Sequence, residues 1–260
     1  MNKDFENHDE HGKLVKFVDS RFYMLPEKPD TYFPGVTTIL NVIDKGDQYK
    51  HWLQSNGFNA DVLARQAMDQ GSHVHEAIQD FLNGKEIRWA TEEVKFYTRH
   101  EWEMISRFID FYTAFKPQTV VVERVLVSEK LGYGTQLDYV CKLNGELIYI
   151  DHKTGSVYDS ANMQIAASIK LWNECLPDKI TKGAVLHLES AHRGRDSKGK
   201  SIQGKGWKLI EIENLEKEWE DFQHVQAIWK RKNPVIKPFN KVYPDRYSIE
   251  SVTSIDLPDE

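Results

Sequence analysis

The residues best placed to do chemistry lie in one short stretch, Gly134 to Gly155, where Asp138 is separated from Asp151 and Lys153 by a turn signal. Asn144-Gly145 stands between two apolar-rich runs. That is the strongest short-range mark of a two-residue hairpin turn, because both central positions of a type I′ turn need positive φ. The turn sets the register: Leu143 faces Glu146, Asp138 faces Asp151 and Gln136 faces Lys153. Side chains alternate along a strand, so Gln136, Asp138, Asp151 and Lys153 project from one face, and Leu137, Tyr139, Cys141, Leu143, Ile148 and Ile150 from the other. Carboxylates directly opposed on a sheet are roughly 5 Å apart at Cβ and repel. A divalent cation between them relieves the repulsion, since hard cations take carboxylate oxygens. The Lys153 ammonium then stands beside the ion, where a phosphate or a nucleophilic water would sit. The plainer alternative is a solvated sheet face carrying a Lys–Asp pair, and charge alone gives the two about equal weight.

Elements on either side must hold this hairpin. Lys13 to Phe33 reads as a small peripheral hairpin. Val36 to Ile43 opens a short helix after Pro34-Gly35, capped by Thr37 or Thr38. Asp47 to Ser55 continues as a helical turn with Trp52 inward. Asn59 is placed to cap a long helix that runs to Phe81 or Leu82 and ends at Asn83-Gly84. Its apolar stripe is Leu63, Ala67, Val74, Ile78 and Phe81. On that helix His75 falls at the edge of the stripe beside Gly71, and His73 lies further toward the polar side. His75 is the better candidate for a half-buried site, although a packed boundary histidine is the commoner reading of such a position. Thr91 to Phe115 reads as a second long helix with Val94, Ile105, Phe108, Ile109, Tyr112 and Phe115 inward, broken by Lys116-Pro117. Thr119 to Ser128 is a β-branched strand with Glu123 inside it. After the hairpin come a helix from Tyr158 to Cys175 carrying Gln164, a strand from Lys182 to Leu188, a strand from Trp207 to Ile212, and a helix capped by Asn214 that runs to Lys232.

Composition bounds the rest. The chain has 260 residues, 40% hydrophobic and 12% aromatic, enough for one domain with a proper core. We expect a tail over 1–12, a single domain over 13–233 and a Pro-punctuated extension over 234–260. A net charge of −6 does not advertise a nucleic-acid binder, but local patches outweigh the total. Such a patch is the loop from Ala191 to Gly206, which holds Arg193, Arg195, Lys198 and Lys200; gripping phosphates and forming a solvated tip are about equally weighted for it. Cys141 and Cys175 form no CxxC, so a disulfide framework, a thiolate zinc site and a four-Cys cluster are excluded. No apolar run reaches the ~18 residues of a membrane span, and the first dozen residues are unlike a secretory leader. A soluble, intracellular, cytoplasmic protein with no membrane partner is expected. Neither GxGxxG, a P-loop nor a GxSxG elbow is present.

The order of helix, antiparallel meander, helix and strand, with acidic residues on the later strands of the meander, resembles the PD-(D/E)XK nucleases. The likeness is to their RecB-type branch and to the mitochondrial genome maintenance and phage exonucleases within it. It rests on Gly35-Val-Thr-Thr-Ile-Leu40, Trp52, Gly71-Ser-His-Val-His75, Glu123, Gly134-Thr-Gln-Leu-Asp138, Ile150-Asp-His-Lys-Thr-Gly155 and Gln164. The resemblance implies an α/β fold: a restriction-endonuclease-like core, with a mixed central sheet and its antiparallel meander flanked by helices, plus N-terminal helical elements. It implies His75, Asp138, Asp151 and the backbone carbonyl of His152 as ligands of one or two Mg2+ or Mn2+ ions. Lys153 would orient or deprotonate the attacking water, with Glu123 and Gln164 beside the metal or the DNA backbone. Two positions depart from the family's habit. His152 stands where an aromatic residue is usual, and Ser168 stands where a Tyr often follows the Gln; both bear on substrate handling.

The chemistry of the residues agrees with that implication. A metal held by carboxylates and an imidazole lowers the pKa of bound water and stabilises phosphate charge. The expectation is a metal-dependent deoxyribonuclease, an exonuclease acting on single-stranded DNA or duplex ends, of the kind used in DNA repair and recombination. The alternatives are a non-cleaving DNA-binding or assembly module on the same fold and a nuclease acting on RNA, since 2′-OH recognition leaves no readable motif. Polarity and oligomeric state have no signature here.

Overall fold

A computed structural model describes residues 11–16, 21–91, 94–189, 194–195, 201–202 and 206–237. Most of the expected N-terminal tail and most of the C-terminal extension lie outside the described residues.

The body is a five-stranded mixed sheet between two layers of helix. β4 (Gln118–Ser128), β5 (Tyr133–Leu143) and β6 (Glu146–Lys153) form the expected antiparallel meander. The Val120-Val121-Val122 run suits a pleated strand, where branched side chains are favoured. Asn144 and Gly145 have φ of 51° and 86°, as a type I′ tip requires. From β6 the chain crosses through α5 (Ser160–Cys175) and returns as β7 (Lys182–His187), parallel to β6. β10 (Lys208–Glu211) adds antiparallel to β7, giving the order β10-β7-β6-β5-β4. Parallel pairing through a helical crossover demands that both sheet faces be covered, and they are.

One face packs on α3 (Ala60–Leu82) and α4 (Arg99–Phe115), through Val74, Ile78, Ile105, Phe108, Tyr139, Cys141, Ile148 and Ile150. The other packs on α1 (Val36–Leu40), α5 and α6 (Leu215–Lys232), through Ile39, Leu137, Val140, Tyr149, Ile165, Trp172 and Phe222. The alternative of a solvated sheet face does not hold: that face is a second core, and Leu137 belongs to it rather than to the Tyr139 face. A small sheet of β1 (Lys13–Lys16), β2 (Arg21–Leu25) and β3 (Lys28–Pro34) packs Tyr23 and Phe33 against Val125 and Val127. Gly134 is needed at that junction: a Cβ there would lie 2.5 Å from the Tyr23 ring.

Several local expectations are corrected. α1 is capped by Gly35 with no side-chain cap, so neither Thr37 nor Thr38 caps it. Asn59 holds the N-cap position of α3 as expected, but its side chain makes no capping hydrogen bond there. α4 begins at Arg99 rather than Thr91, because Thr98 and Glu101 form a reciprocal capping box there. Upstream of it, the chain from Trp89 turns back on itself, with Ala90 bridged to Lys95 and the Phe96 N–H donating to the Trp89 carbonyl at 3.0 Å. Val94 and Phe115 are exposed, as are Leu63 and Ala67 on the first half of α3, where among the described residues nothing buries the stripe. Asn214 caps α6 as expected, its side chain accepting from the Lys217 N–H at 3.0 Å. No helix among the described residues is long and apolar enough to cross a membrane.

Candidate active site

The site forms where the meander loses its regular pairing. β5 and β6 hold the expected register from Leu143↔Glu146 to Tyr139↔Ile150, and the pairing ends one step short of Asp138 and Asp151. β4 and β5 pair Val122 with Tyr139 and Arg124 with Leu137, but not Glu123 with Asp138. Glu123 has φ of 53°, the left-handed region, which costs an L residue of order 1–3 kcal/mol and collects at functional sites.

α3 supplies the imidazole. A Cβ on Gly71 would lie 3.0 Å from Thr154 Oγ1, so a glycine lets the helix pass close to the end of β6. One turn further on, His75 Nδ1 stands 3.6 Å from Asp138 Oδ2 and 4.0 Å from Glu123 Oε1. Asp138 Oδ2 also accepts the His152 backbone N–H at 2.9 Å. Burial pushes the Asp138 carboxyl above the ordinary carboxylate range; the His75 and Lys153 charges and the His152 N–H pull against that, and the Asp151 charge adds to it.

Asp151 turns to the α5 side while Asp138 turns to His75 on α3, so the two carboxylates do not share one face as the turn register predicts. Its Oδ1 accepts from Gln164 Nε2 at 2.8 Å and from the Tyr149 hydroxyl at 3.4 Å. Its Oδ2 is ion-paired with Lys153 Nζ at 2.7 Å, a contact that lacks hydrogen-bond geometry. Lys153 Nζ donates to Gln164 Oε1 at 3.0 Å. Burial alone would lower the Lys153 pKa, but the Asp151 and Asp138 charges outweigh it and hold the ammonium above its usual value. In this arrangement Lys153 is a fixed cation, which favours orienting water or phosphate over taking a proton.

His152 alternates to the opposite side, against α3 and α4. Its ring packs edge-on to Phe108 at 5.3 Å and lies 5.9 Å from the Tyr139 ring and 5.8 Å from the His75 ring. Burial, then the His75 and Lys153 charges, hold its pKa well below the usual imidazole range. Its Nε2 is buried with no hydrogen-bond partner, which costs about 1–3 kcal/mol unless something binds there. Ligand atoms of His75, Asp138 and His152 all lie within 4.8 Å of one another. Sequence reasoning assigns only the carbonyl of His152; the side chain has no signal there, because the lapse in pairing that turns Asp138 to its side is not visible in residue types.

Tyr23 was also missed. It reaches the Glu123 and Asp138 side from the small sheet. Burial pushes its phenol up to about 12, with Arg21 and the Gln136 backbone opposing and Glu123 and Asp138 adding smaller upward effects. Its only sequence signal is the glycine opposite it, Gly134. Of the basic loop, Arg195 lies in the short strand β8 (Gly194–Arg195), paired with β9 (Ser201–Ile202). Arg193, Lys198 and Lys200 lie outside the described residues.

Fold and site together define an α/β protein whose helix-flanked, five-stranded mixed sheet carries a half-buried cluster of His75, Glu123, Asp138, Asp151, His152, Lys153 and Gln164, of which Asp151 and His152 are fully buried. No family model matches the chain, and no curated protein matches it.

Proposed function

We propose that the protein is a metal-dependent nuclease that hydrolyses DNA phosphodiester bonds, built on a PD-(D/E)XK core and acting as an exonuclease on single strands or duplex ends. The observation that supports this reading most is convergence. Residues singled out from separate stretches of sequence meet around Asp138 and Asp151, His75 coming from α3, Glu123 from β4, Lys153 from β6 and Gln164 from α5.

The donor set fits a divalent cation. Asp138 is held in place by the His152 N–H, His75 faces it, and the Asp151 charge reaches it. A bound Mg2+ or Mn2+ would supply Lewis-acid stabilisation of phosphate charge and a lowered pKa for coordinated water. The chain's own contribution is placement. Gln164 bridges Asp151 and Lys153, fixing the carboxylate and the ammonium relative to each other. Lys153 keeps about a quarter of its side-chain surface accessible, at 27%, so it can meet a phosphate oxygen or a water without leaving Asp151. Glu123, opposite Asp138 and facing His75, adds negative charge that holds an imidazolium or a cation in place. Arg193, Arg195, Lys198 and Lys200 would grip the DNA backbone.

The test is cleavage of end-labelled linear and circular DNA, single- and double-stranded, and of matched RNA, in Mg2+, Mn2+ or EDTA. Metal-dependent loss of nucleotides from linear DNA ends, with circles spared, is the expected result. Circles cut as fast as linear DNA overturn the exonuclease assignment, and preferential cutting of RNA overturns the substrate. Binding without cleavage of any substrate leaves a DNA-binding module on a nuclease core.

A further inference from the structure

We infer that the His152 imidazole is itself a metal ligand, and that His75, Asp138 and His152 form a site for a transition-metal ion such as Mn2+, Co2+ or Zn2+ in preference to Mg2+. The inference deepens the metal-dependent reading above and rests on its premise that an ion sits at Asp138.

The donor atoms of these residues come from separate elements, α3, β5 and β6, and already gather within 4.8 Å of one another. At metal–nitrogen and metal–oxygen distances of ~2.1 Å, donors on opposite sides of an ion are at most about 4.2 Å apart. Only one pair of the three donors can lie opposite across an ion, so a pair now 4.8 Å apart has to close by at least about 0.6 Å, and by more where the two donors are adjacent on the ion. His75, with 27% of its side chain accessible, is free enough to make that movement.

His152 carries the second, independent observation. The residue is 3% exposed, and its Nε2 is buried with no hydrogen-bond partner. Phe108, Tyr139 and His75 surround the ring. An aromatic hydrocarbon would fill that space without leaving a polar atom unsatisfied, so packing gives no reason for an imidazole. Coordination does. The same residue sets the neighbouring ligand, since its backbone N–H holds Asp138 Oδ2 at 2.9 Å.

The donor chemistry then decides the ion. Mg2+ takes oxygen ligands and keeps several waters. Imidazole suits Zn2+ and the later first-row ions best, affinity rises from Mn2+ through Co2+, and even Mn2+ takes an imidazole nitrogen more readily than Mg2+ does; a pair of imidazoles with one carboxylate leaves positions open for water or a phosphate oxygen. A site of oxygens alone, built from Asp138, Asp151 and a carbonyl, would show no such preference.

Pulsed electron paramagnetic resonance of the wild-type protein with Mn2+ counts the coordinated imidazole nitrogens directly. Calorimetry with Mn2+, Co2+ and Mg2+, on wild type and His152→Phe, measures selectivity. The expected results are two coupled imidazoles, Mg2+ binding at least tenfold weaker than Mn2+, and a loss of about tenfold or more in Mn2+ affinity for His152→Phe with little change for Mg2+. A single coupled imidazole overturns the inference, as does Mg2+ affinity equal to that of Mn2+. The nitrogen count needs no variant, so it stands even where His152→Phe folds poorly. Two imidazoles in a protein that cuts no nucleic acid support this site and sink the nuclease reading. One imidazole in an active nuclease does the reverse.

Discussion

Glu123 and Asp138 stand across from each other at a step where the β4–β5 ladder lapses, between the pairs Val122↔Tyr139 and Arg124↔Leu137. Both strands change sides there. On β5, Leu137 packs with α5 and α6, while Tyr139 packs with α3 and α4. On β4, Val122 belongs to the α3 side and Leu126 to the α5 side. An alternating strand cannot place i and i+2 in opposite layers without a local break, and Glu123, at φ 53°, supplies it. The break turns both carboxylates toward His75.

The strain at Glu123 gives a stability test that does not depend on activity. Glu123→Ala and Glu123→Gly remove the same carboxylate, but only glycine accepts φ of 53° without penalty. Glu123→Gly should be about 1 kcal/mol more stable than Glu123→Ala in chemical denaturation. Inside an ordinary strand the order would reverse, because glycine weakens strands. Finding alanine the more stable variant would place the residue in regular β conformation.

Asp138 should cost the metal-free protein stability. Its folded pKa is raised, chiefly by burial. A carboxyl raised on folding favours the native state only while protonated, and that advantage is lost as pH rises through the folded value. Asp138→Asn removes the buried charge, and its amide oxygen can still accept the His152 N–H. Without metal the variant should melt higher than wild type at pH 7, and the gap should close as pH falls below the folded pKa. Mn2+ should raise the wild-type Tm more than the variant's, since an ion that binds only the native state stabilises by mass action. Equal Mn2+ shifts in the two proteins would remove Asp138 from the ligand set.

Much of this arrangement could be read from residue types, and the reasons for the rest are physical. Asn144-Gly145 fixes a turn through backbone geometry alone, so the register from Leu143↔Glu146 to Tyr139↔Ile150 follows from sequence. His75 could be placed because helical angles are regular. The change of sides at Asp138 could not, because it arises from a backbone state at Glu123 that glutamate rarely adopts. For the same reason the alternation taken from the turn assigned Leu137 to the wrong layer. Leu63 and Ala67 continue the apolar stripe of α3, but periodicity does not say where the sheet beneath the helix stops. The start of α4 was present in the sequence as Thr98-Arg-His-Glu101, a capping box concealed within a longer helix-like pattern.

That capping box should leave a pH signature. Glu101 is buried; burial alone would raise its carboxyl pKa, but hydrogen bonds from Thr98 and the contact with His73 outweigh that and lower it. His73 Nδ1 lies 3.0 Å from Glu101 Oε1, and the Thr98 N–H donates to Oε2 at 2.6 Å. A depressed carboxyl contributes stability that is complete above the unfolded value of about 4.3 and is lost as pH falls through the folded value. Glu101→Ala should therefore cost about 1–2 kcal/mol at pH 7, and the difference from wild type should shrink in acid. A cost that is constant from pH 7 to pH 3 would mean that packing alone is lost.

Lys153 separates a cutting enzyme from a binding module. Its ammonium is held by Asp151 at 2.7 Å and Gln164 at 3.0 Å, and the Asp151 and Asp138 charges keep it protonated. A fixed cation beside a phosphate stabilises charge that grows in the transition state, and removing such a group typically costs ~100-fold or more in rate. Lys153→Ala should lower cleavage by that order and leave DNA binding in Ca2+ far less affected. It should also release Asp151 from an ion pair, so affinity for the ion should hold or rise rather than fall. Lys153→Arg should not restore the rate fully, because a guanidinium is bulkier and cannot take the ammonium's place between Asp151 and Gln164 without moving both. The decisive comparison is the cleavage rate against the Kd for DNA in Ca2+, measured on both variants. If Lys153→Ala abolishes binding and the wild type cuts nothing in any metal, the lysine is a phosphate clamp and the protein a binder on a nuclease core.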